Sequence, residues 1–334
     1  MNALVTGANG FIGSNLSSRL LEKGHRVRAL ILPGTDESTL KDMDVQRVHG
    51  DITDPSTLPP ALKGIDVVFH LAAIARDWGP PKLFLKVNAE GSRNVAEMSL
   101  KFGVSRFVQM SSLAIHSFRG ISDGDENTPR DCFKFPYSLS KIKAEDYVLA
   151  LSREKGLPVT IVRPGVFPFG PNDMTSFYHL ARAMEKGQYG YINGGRAIIC
   201  VSYVENLVEG MILAATHPKG AGETYVISDD IKITWRELSE RFSQELGCSP
   251  PRLSIPFPLI YPSVALWEGI YRILRTKNPP PLTRYRVSLV ARDCYFSSRK
   301  AKAELGYQAK VTLNEGIRRT VAWYRGAKKE RGDS

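Results

Sequence analysis

The sequence predicts a doubly wound α/β fold, a parallel sheet flanked by helices, with a smaller, mostly helical C-terminal domain. Three observations predict it. Short apolar runs alternate with helical patterns from the first residue to about 171, a glycine-spaced turn joins the first run to the first helix, and after Gly170-Pro171 the alternation gives way to helical periodicity.

Residues 1–6 (M-N-A-L-V-T) form the first expected strand, and a helix is expected over Ser14 to Lys23. Between them runs T-G-A-N-G-F-I-G. Gly7 permits a tight turn, Gly10 leaves room for a pyrophosphate, and Gly13 lets the helix pack closely on the strand, whose partner helix then offers free N–H groups to phosphates. This is the dinucleotide-binding, or Rossmann, arrangement. Asn9, Phe11 and Ile12 share the turn and join Gly7 and Gly10 as cofactor-binding candidates.

Arg26 to Leu32 is the second strand. At its end an acid favours NAD and an arginine favours NADP. Ile31 and Leu32 stand there, so both NAD and NADP remain open, and Asp36 and Lys41 downstream read first as loop charges. Val45 to Val48 is a third strand. Asp51 after it either accepts from the adenine amino group or caps the turn before Pro55, with Ile52 beside it. Asp66 to Leu71 is a buried parallel strand whose end, Leu71-Ala72-Ala73, is small enough for a cofactor to lie against. His70 on it reads as a satisfied core group.

Lys82 to Phe102 is helical and carries Asn88, a candidate for holding backbone or water near the site. Arg106 to Met110 is the fifth strand, with Ser111-Ser112 at its carboxyl end, where open α/β sheets place their chemistry. Residues Ser117 to Pro136 read as an active-site loop. Tyr137 to Ser152 is a strong helix, with Tyr137 and Lys141 four apart on one face. Val159 to Val162 is the sixth strand, followed by Arg163-Pro164-Gly165-Val166. Further on, a helix is expected over Phe177 to Lys186, strands over Ala197 to Val204 and Glu223 to Ile227, and a helix between those strands. Residues 234–334 read as mostly helical, with Pro-rich breaks at Pro250 to Pro262 and Pro279-Pro280-Pro281. The domains implied are 1–171 for the cofactor, rejoined by 197–229, and 172–196 with 230–334 for the substrate.

The nucleotide turn, Ser112 and Tyr-x-x-x-Lys together supply what hydride transfer at a hydroxyl carbon demands. The alcohol must lose a proton as its hydride leaves. Free tyrosine, with a pKa of about 10, is a poor base at neutral pH, and a nearby ammonium favours its phenolate. Lys141 is one helical turn away, and Ser112 is placed to bond the same substrate oxygen as Tyr137. Ser112, Tyr137 and Lys141 are therefore the catalytic candidates.

Among its 334 residues the chain has a formal charge of +11. The excess is spread along the chain, with one dense cluster at Arg325 to Arg331 that reads as a solvated tail, so no nucleic-acid partner is expected. Cys132, Cys200, Cys248 and Cys294 are far apart and form no C-x-x-C pair, which argues against a metal site or a disulfide framework and for a reducing cytoplasm. With the first strand beginning almost at Met1, no signal peptide is expected. The longest uncharged apolar run, Leu253 to Trp267, is broken by three prolines. Val264, Trp267, Ile270, Tyr271 and Leu274 fall at helical spacing beside Arg272, Arg275 and Lys277. They read first as a core stripe covering the pocket and second as a peripheral membrane contact within 253–274.

These motifs resemble the extended short-chain dehydrogenase/reductases, the NAD-dependent epimerase/dehydratase family, over nearly the whole chain. The resemblance rests on Thr6 to Gly13, Asp51, His70 to Ala73, Ser112, Tyr137 with Lys141, and Arg163 to Pro171. It implies that Lys141 also holds the nicotinamide ribose, that the backbone of Pro164, Gly165 and Val166 faces the nicotinamide, and that the chain is a homodimer through the helices at 82–102 and 137–152.

The second half is most similar to the 3β-hydroxysteroid and sterol-4-carboxylate dehydrogenase branch, through S-Y-V-E-N-L at Ser202 to Leu207, G-E-T-Y-V-I-S-D at Gly222 to Asp229, and the block from Leu253 to Leu274 that leads into Pro281-Leu282-Thr283-Arg284. The implied activity interconverts a sterol-like secondary alcohol and a ketone, with loss of an adjacent carboxylate where one is present. The alternative is a nucleotide-sugar 4-epimerase or dehydratase. Its usual Arg-Asp-aromatic triplet is replaced here by Arg196-Ala197-Ile198. A third reading, a non-catalytic dinucleotide sensor, has no need of Ser112, Tyr137 and Lys141 together.

Overall fold

The structure is a computed structural model and describes residues 1–132, 134–274, 276 and 278–332. In chain order its main elements begin with β1 (Asn2–Thr6), α1 (Phe11–Glu22), β2 (Arg26–Ile31), β3 (Gln46–His49), β4 (Val67–His70), α2 (Gly91–Lys101), β5 (Arg106–Met110), α3 (Pro136–Lys155) and β6 (Val159–Pro164). Then come α4 (Val204–Thr216), β7 (Thr224–Ile227), α5 (Trp235–Leu246), α6 (Phe257–Ile273), α7 (Arg284–Ala291) and α8 (Leu313–Glu330).

The seven strands form one parallel sheet in the order β7-β6-β5-β4-β1-β2-β3. This is the doubly wound Rossmann sheet, and the winding reverses between β1 and β4, which opens a crevice at their carboxyl ends. Every residue of β4 and of β6 is buried, as expected of strands covered on both faces. One face packs Leu16 and Leu20 of α1 with Leu207, Val208 and Met211 of α4. The other packs Val95 and Ala96 of α2 with Val148 and Leu151 of α3. Beyond β7 the chain is mostly helical.

Several local expectations change. The helix over 82–102 is interrupted by a π-helical turn, Leu85–Glu90, between Pro81–Phe84 and α2. The strand over 197–204 is two short pieces outside the main sheet. Ile198–Ile199 pairs with Ile233–Thr234 and Cys294, and Val201–Tyr203 pairs with Phe167–Phe169. Their pairing with Phe167–Phe169, just past β6, and with Ile233–Thr234 holds them outside the main sheet. The loop over 117–136 contains a strand, Ile121–Gly124, which pairs with Cys294–Phe296, a strand inside the stretch read as helical.

The break expected over 250–262 is shorter than the prolines suggest. Pro258 sits in the first turn of α6, where a missing N–H costs nothing, and the helix continues past Pro262. On α6 the expected core stripe is overturned: Val264 is buried, but Trp267, Ile270 and Leu274 are exposed. Among the described residues, α6 is covered on the sides that meet α7 and Trp78. Arg275 and Lys277 lie outside the described residues.

Candidate active site

The crevice begins at the turn after β1. Gly7 has φ +66°, a left-handed conformation that glycine adopts without strain. A Cβ at Gly13 would lie 2.1 Å from the Gly7 carbonyl oxygen, so α1 meets the turn closely enough to forbid any side chain there. α1 starts at Phe11 with Gly10 as its N-cap and no side chain capping it, which leaves the amides of its first turn for an anion. Asn9 ties the turn to the loop after β2: its Nδ2 donates to Thr35 Oγ1 (3.0 Å) and the Asp36 carbonyl (2.8 Å). Asp36 accepts from Ser38 N and Oγ, and Lys41 is exposed; both behave as loop charges. These residues fit a dinucleotide.

Asp51 Oδ1 accepts from Thr53 N at 2.8 Å, the turn-capping reading. Ile52 is buried, and a Cβ on Gly91 would come within 2.8 Å of it. At the end of β4, Leu71, Ala72 and Ala73 are partly exposed. The amides of Leu71 and Ala72 donate to Thr6 Oγ1, both at 3.1 Å, so the single Thr6 proton goes to His70 Nδ1 at 2.8 Å. Ser92 gives its proton to the Asn88 carbonyl (2.6 Å) and accepts from His70 Nε2 (3.0 Å). Proton counting assigns a neutral His70 with the proton on Nε2. Burial, helped by the Lys141 charge, pushes its pKa down to about 3. His70 is the satisfied core group expected.

Asn88 lies on the π-helical turn and clamps the segment after β4. Its Oδ1 accepts from Ile74 N (2.7 Å), and its Nδ2 donates to the Ile74 carbonyl (3.2 Å) and Ser140 Oγ on α3 (2.9 Å). The π turn sets this reach. After β6, Gly165 N donates to Ser202 Oγ at 2.8 Å, and a Cβ there would lie 2.8 Å from the Val201 carbonyl carbon. Pro164 is buried and Val166 partly exposed on either side of it.

Ser112, Tyr137 and Lys141 are brought together. Pro136 starts α3 at the position where proline suits a helix, and Ser112 caps the short turn Leu113–Ile115 through Ala114 N (3.1 Å), with its hydroxyl near enough to Tyr137 to favour the phenolate. Lys141 Nζ donates to the Met110 carbonyl at 2.5 Å. Burial raises the Tyr137 pKa, with Ser112 opposing, and lowers that of Lys141 to about 8, with Glu145 opposing. The expected lowering of the tyrosine by the ammonium is therefore not what dominates in the chain itself. Burial dominates, opposed by the Ser112 hydroxyl, and the ammonium is turned to the Met110 carbonyl.

Sequence reasoning missed two features. Glu145 continues the Tyr137, Lys141 spacing by one more turn. It is fully buried and held by Arg163 through two bonds, Nε to Oε1 at 2.9 Å and Nη2 to Oε2 at 2.7 Å, and by Arg130 at 3.0 Å. Burial pushes its pKa up, but the two arginines win and hold it below the usual carboxylate range. The four-residue spacing was the available signal. The second feature comes from far along the chain. Tyr285 of α7 meets Tyr137 edge to face at 6.2 Å between ring centroids, and also meets Phe118 (5.5 Å) and Phe135 (5.3 Å). α7 is fastened to the loop at 74–80 by Asp77, which accepts from Thr283 Oγ1 and from Arg286 Nη2. It is fastened to α6 by Glu268, which accepts from Arg284 N (2.5 Å) and Nε (2.7 Å). No local pattern announces this cover.

A family model described as the NAD dependent epimerase/dehydratase family matches residues 3–228. The chain belongs to this family. It is an NAD(P)-dependent enzyme of the extended short-chain dehydrogenase type, with a nicotinamide dinucleotide, NAD or NADP, as cofactor and a small molecule as substrate. It is 30% identical to the 2-alkyl-3-oxoalkanoate reductase of Stenotrophomonas maltophilia, over 96% of this chain and 99% of that protein. It is 32% identical to the 3 beta-hydroxysteroid dehydrogenase/Delta 5-->4-isomerase of Mycobacterium tuberculosis, over 96% and 90% respectively. The solved UDP-glucose 4-epimerase of Thermotoga maritima shares the fold, with a TM-score of 0.80, 24% identity, and coverage of 98% of this chain and 99% of that one.

Proposed function

We propose that this enzyme interconverts a secondary alcohol and a ketone on an apolar, sterol-like or other alicyclic compound. The observation that supports it is the aromatic wall of Phe118, Phe135 and Tyr285 around Tyr137, which offers rings where a sugar nucleotide would need polar groups. When bound, the nicotinamide ring supplies the hydride acceptor or donor. In oxidation, Tyr137 takes the hydroxyl proton, Ser112 bonds the same oxygen, and the Lys141 ammonium stabilises the phenolate once it turns from Met110. Lys141 also holds the ribose. The turn at Gly7, Asn9, Gly10, Phe11 and Ile12 holds the phosphates. Asp51, Ile52, Leu71, Ala72, Ala73, Asn88, Pro164, Gly165 and Val166 line the rest of the nucleotide. A carboxylate beside the new ketone would leave as CO2, its bonding electrons passing into the enolate, with no further base required.

Against the nucleotide-sugar reading, Arg196 donates to the Asn193 carbonyl at an exposed turn. Against a sensor, Ser112, Tyr137 and Lys141 are all present. We further propose a cytoplasmic homodimer formed through α2 and α3, which lie side by side with Arg93 over the Tyr147 ring at 5.6 Å, and a cofactor domain over 1–171 with 197–229. Tyr137→Phe is expected to lower turnover by at least about 100-fold with nucleotide affinity nearly unchanged. Equal turnover overturns the assignment. Absorbance at the reduced-nicotinamide band, with NAD and NADP against hydroxysteroids and UDP- and dTDP-sugars, tests the substrate. Reduction by a hydroxysteroid is expected, whereas a sugar altered without net reduction overturns the reading.

A further inference from the structure

α6 is a helix with one side too many. Its inner side buries Val264 against Val287 of α7, and Glu268 turns inward to Arg284. Its outer side leaves Leu259 (67%), Leu266 (67%), Trp267 (55%), Ile270 (42%), Ile273 (81%) and, just past the helix, Leu274 (67%) exposed to solvent. Leu259, Leu266, Ile270 and Ile273 follow helical spacing, so they form one continuous stripe. Single exposed apolar residues are ordinary, but a contiguous stripe of this length marks an interaction surface.

We infer that this face docks on an anionic lipid bilayer and that the helix pair α6–α7 carries the apolar substrate from the bilayer to Tyr137; the second clause rests on the alcohol–ketone reading above. Charge selects the partner. Between 252 and 282 the sequence has one acid, Glu268, and four bases, Arg252, Arg272, Arg275 and Lys277. The one acid is buried, bonded to Arg284 and paired with Arg272 at 3.9 Å, while the Arg252 and Arg272 side chains themselves stay exposed.

A second copy of so basic a segment would repel the first, whereas anionic headgroups complement it. Trp267 sits where an indole favours the boundary between headgroup and chain. Among the described residues no helix is long and apolar enough to cross a membrane, so the helix lies in the surface plane. The inner side of the same pair ends at Tyr285, whose ring meets Tyr137. The docking face and the pocket wall therefore belong to one unit.

Flotation of the full chain tests this, using vesicles of phosphatidylcholine alone and phosphatidylcholine mixed with phosphatidylglycerol. Binding to the mixed vesicles, weaker on phosphatidylcholine and weakened by salt, is expected. The combined variant Leu266→Ser, Trp267→Ser, Ile273→Ser is expected to lower partitioning at least about tenfold, while the melting temperature and the turnover of a water-soluble alcohol stay as in wild type. No flotation on either lipid, equal flotation on both, or wild-type flotation by the variant overturns the inference. A wild-type chain that stays off vesicles but whose mass in solution halves in the variant overturns it in favour of a second copy. Flotation needs no turnover, so its failure is distinguishable from failure of the substrate assignment.

Discussion

Two buried acids brace the candidate tyrosine from opposite parts of the chain, and they differ in how deeply they are held. Glu145, on α3 with Tyr137, is fully buried and shared by Arg163 and Arg130, with the Arg163 side chain itself only 4% exposed. Glu268, on the cover, is nearly as buried, but its arginines are open to water: Arg284 is 32% and Arg272 57% exposed. A charge pair whose two members are both dry cannot be re-solvated when broken, whereas one with wet arginines can. The sheet side of the site is thus rigidly built, and the cover is fastened more loosely.

The largest break in this contrast is Glu145→Gln. It leaves Arg163 buried without its counter-charge, and a loss of about 3–5 kcal/mol in unfolding free energy is expected from urea titration. Glu268→Gln is expected to cost less, about 1.5–3 kcal/mol, because Arg284 turns to solvent. Its clearer sign is kinetic: KM for the apolar substrate rises while kcat changes little, since Tyr285 loosens and Tyr137 does not. Equal losses in the two variants would erase the distinction.

The same contrast explains what the sequence made legible. The turn from Gly7 to Gly13 is a backbone constraint, written in residues next to one another, so the parallel sheet and its order of elements are legible directly, as is the spacing that puts Tyr137 and Lys141 on one helix. Tyr285 meets Tyr137 across 148 positions of chain, through contacts that depend on Asp77 and Glu268 folding back, and no spacing rule encodes that. The stripe on α6 was legible as a helical stripe, but not which of its sides would be covered, because periodicity gives a face and only packing gives its partner. The strand at Cys294–Phe296 was lost for a similar reason: it is three residues long and exists by pairing with distant segments.

A third test probes the sheet side through pH. His70 is held neutral, with a pKa of about 3 against 6.5 when unfolded. Between those values the unfolded chain binds the extra proton, so stability falls as pH falls, by at most about 1.4 kcal/mol per pH unit from this group. Urea titrations from pH 7 to pH 4 should show this slope in wild type and less of it in His70→Asn. His116, lowered to about 4 by its burial, adds a slope of the same sign to both proteins, so their difference isolates His70. Identical slopes would mean that the Thr6–His70–Ser92 chain admits a proton and that the sheet side is less rigid than its hydrogen bonds imply.

The smallest expected effect is the most discriminating for the cover. Leu266 projects from the outer side of α6 and is 67% exposed, so Leu266→Ser should change unfolding free energy by no more than about 0.5 kcal/mol. A residue that contributes nothing to the folded chain yet belongs to a continuous apolar stripe has its use elsewhere. If urea titration instead showed a loss above about 1 kcal/mol that grew with protein concentration, Leu266 would be packed in solution against another copy. The cover would then be as tightly built as the sheet side, and the contrast between the two braces of Tyr137 would vanish with it.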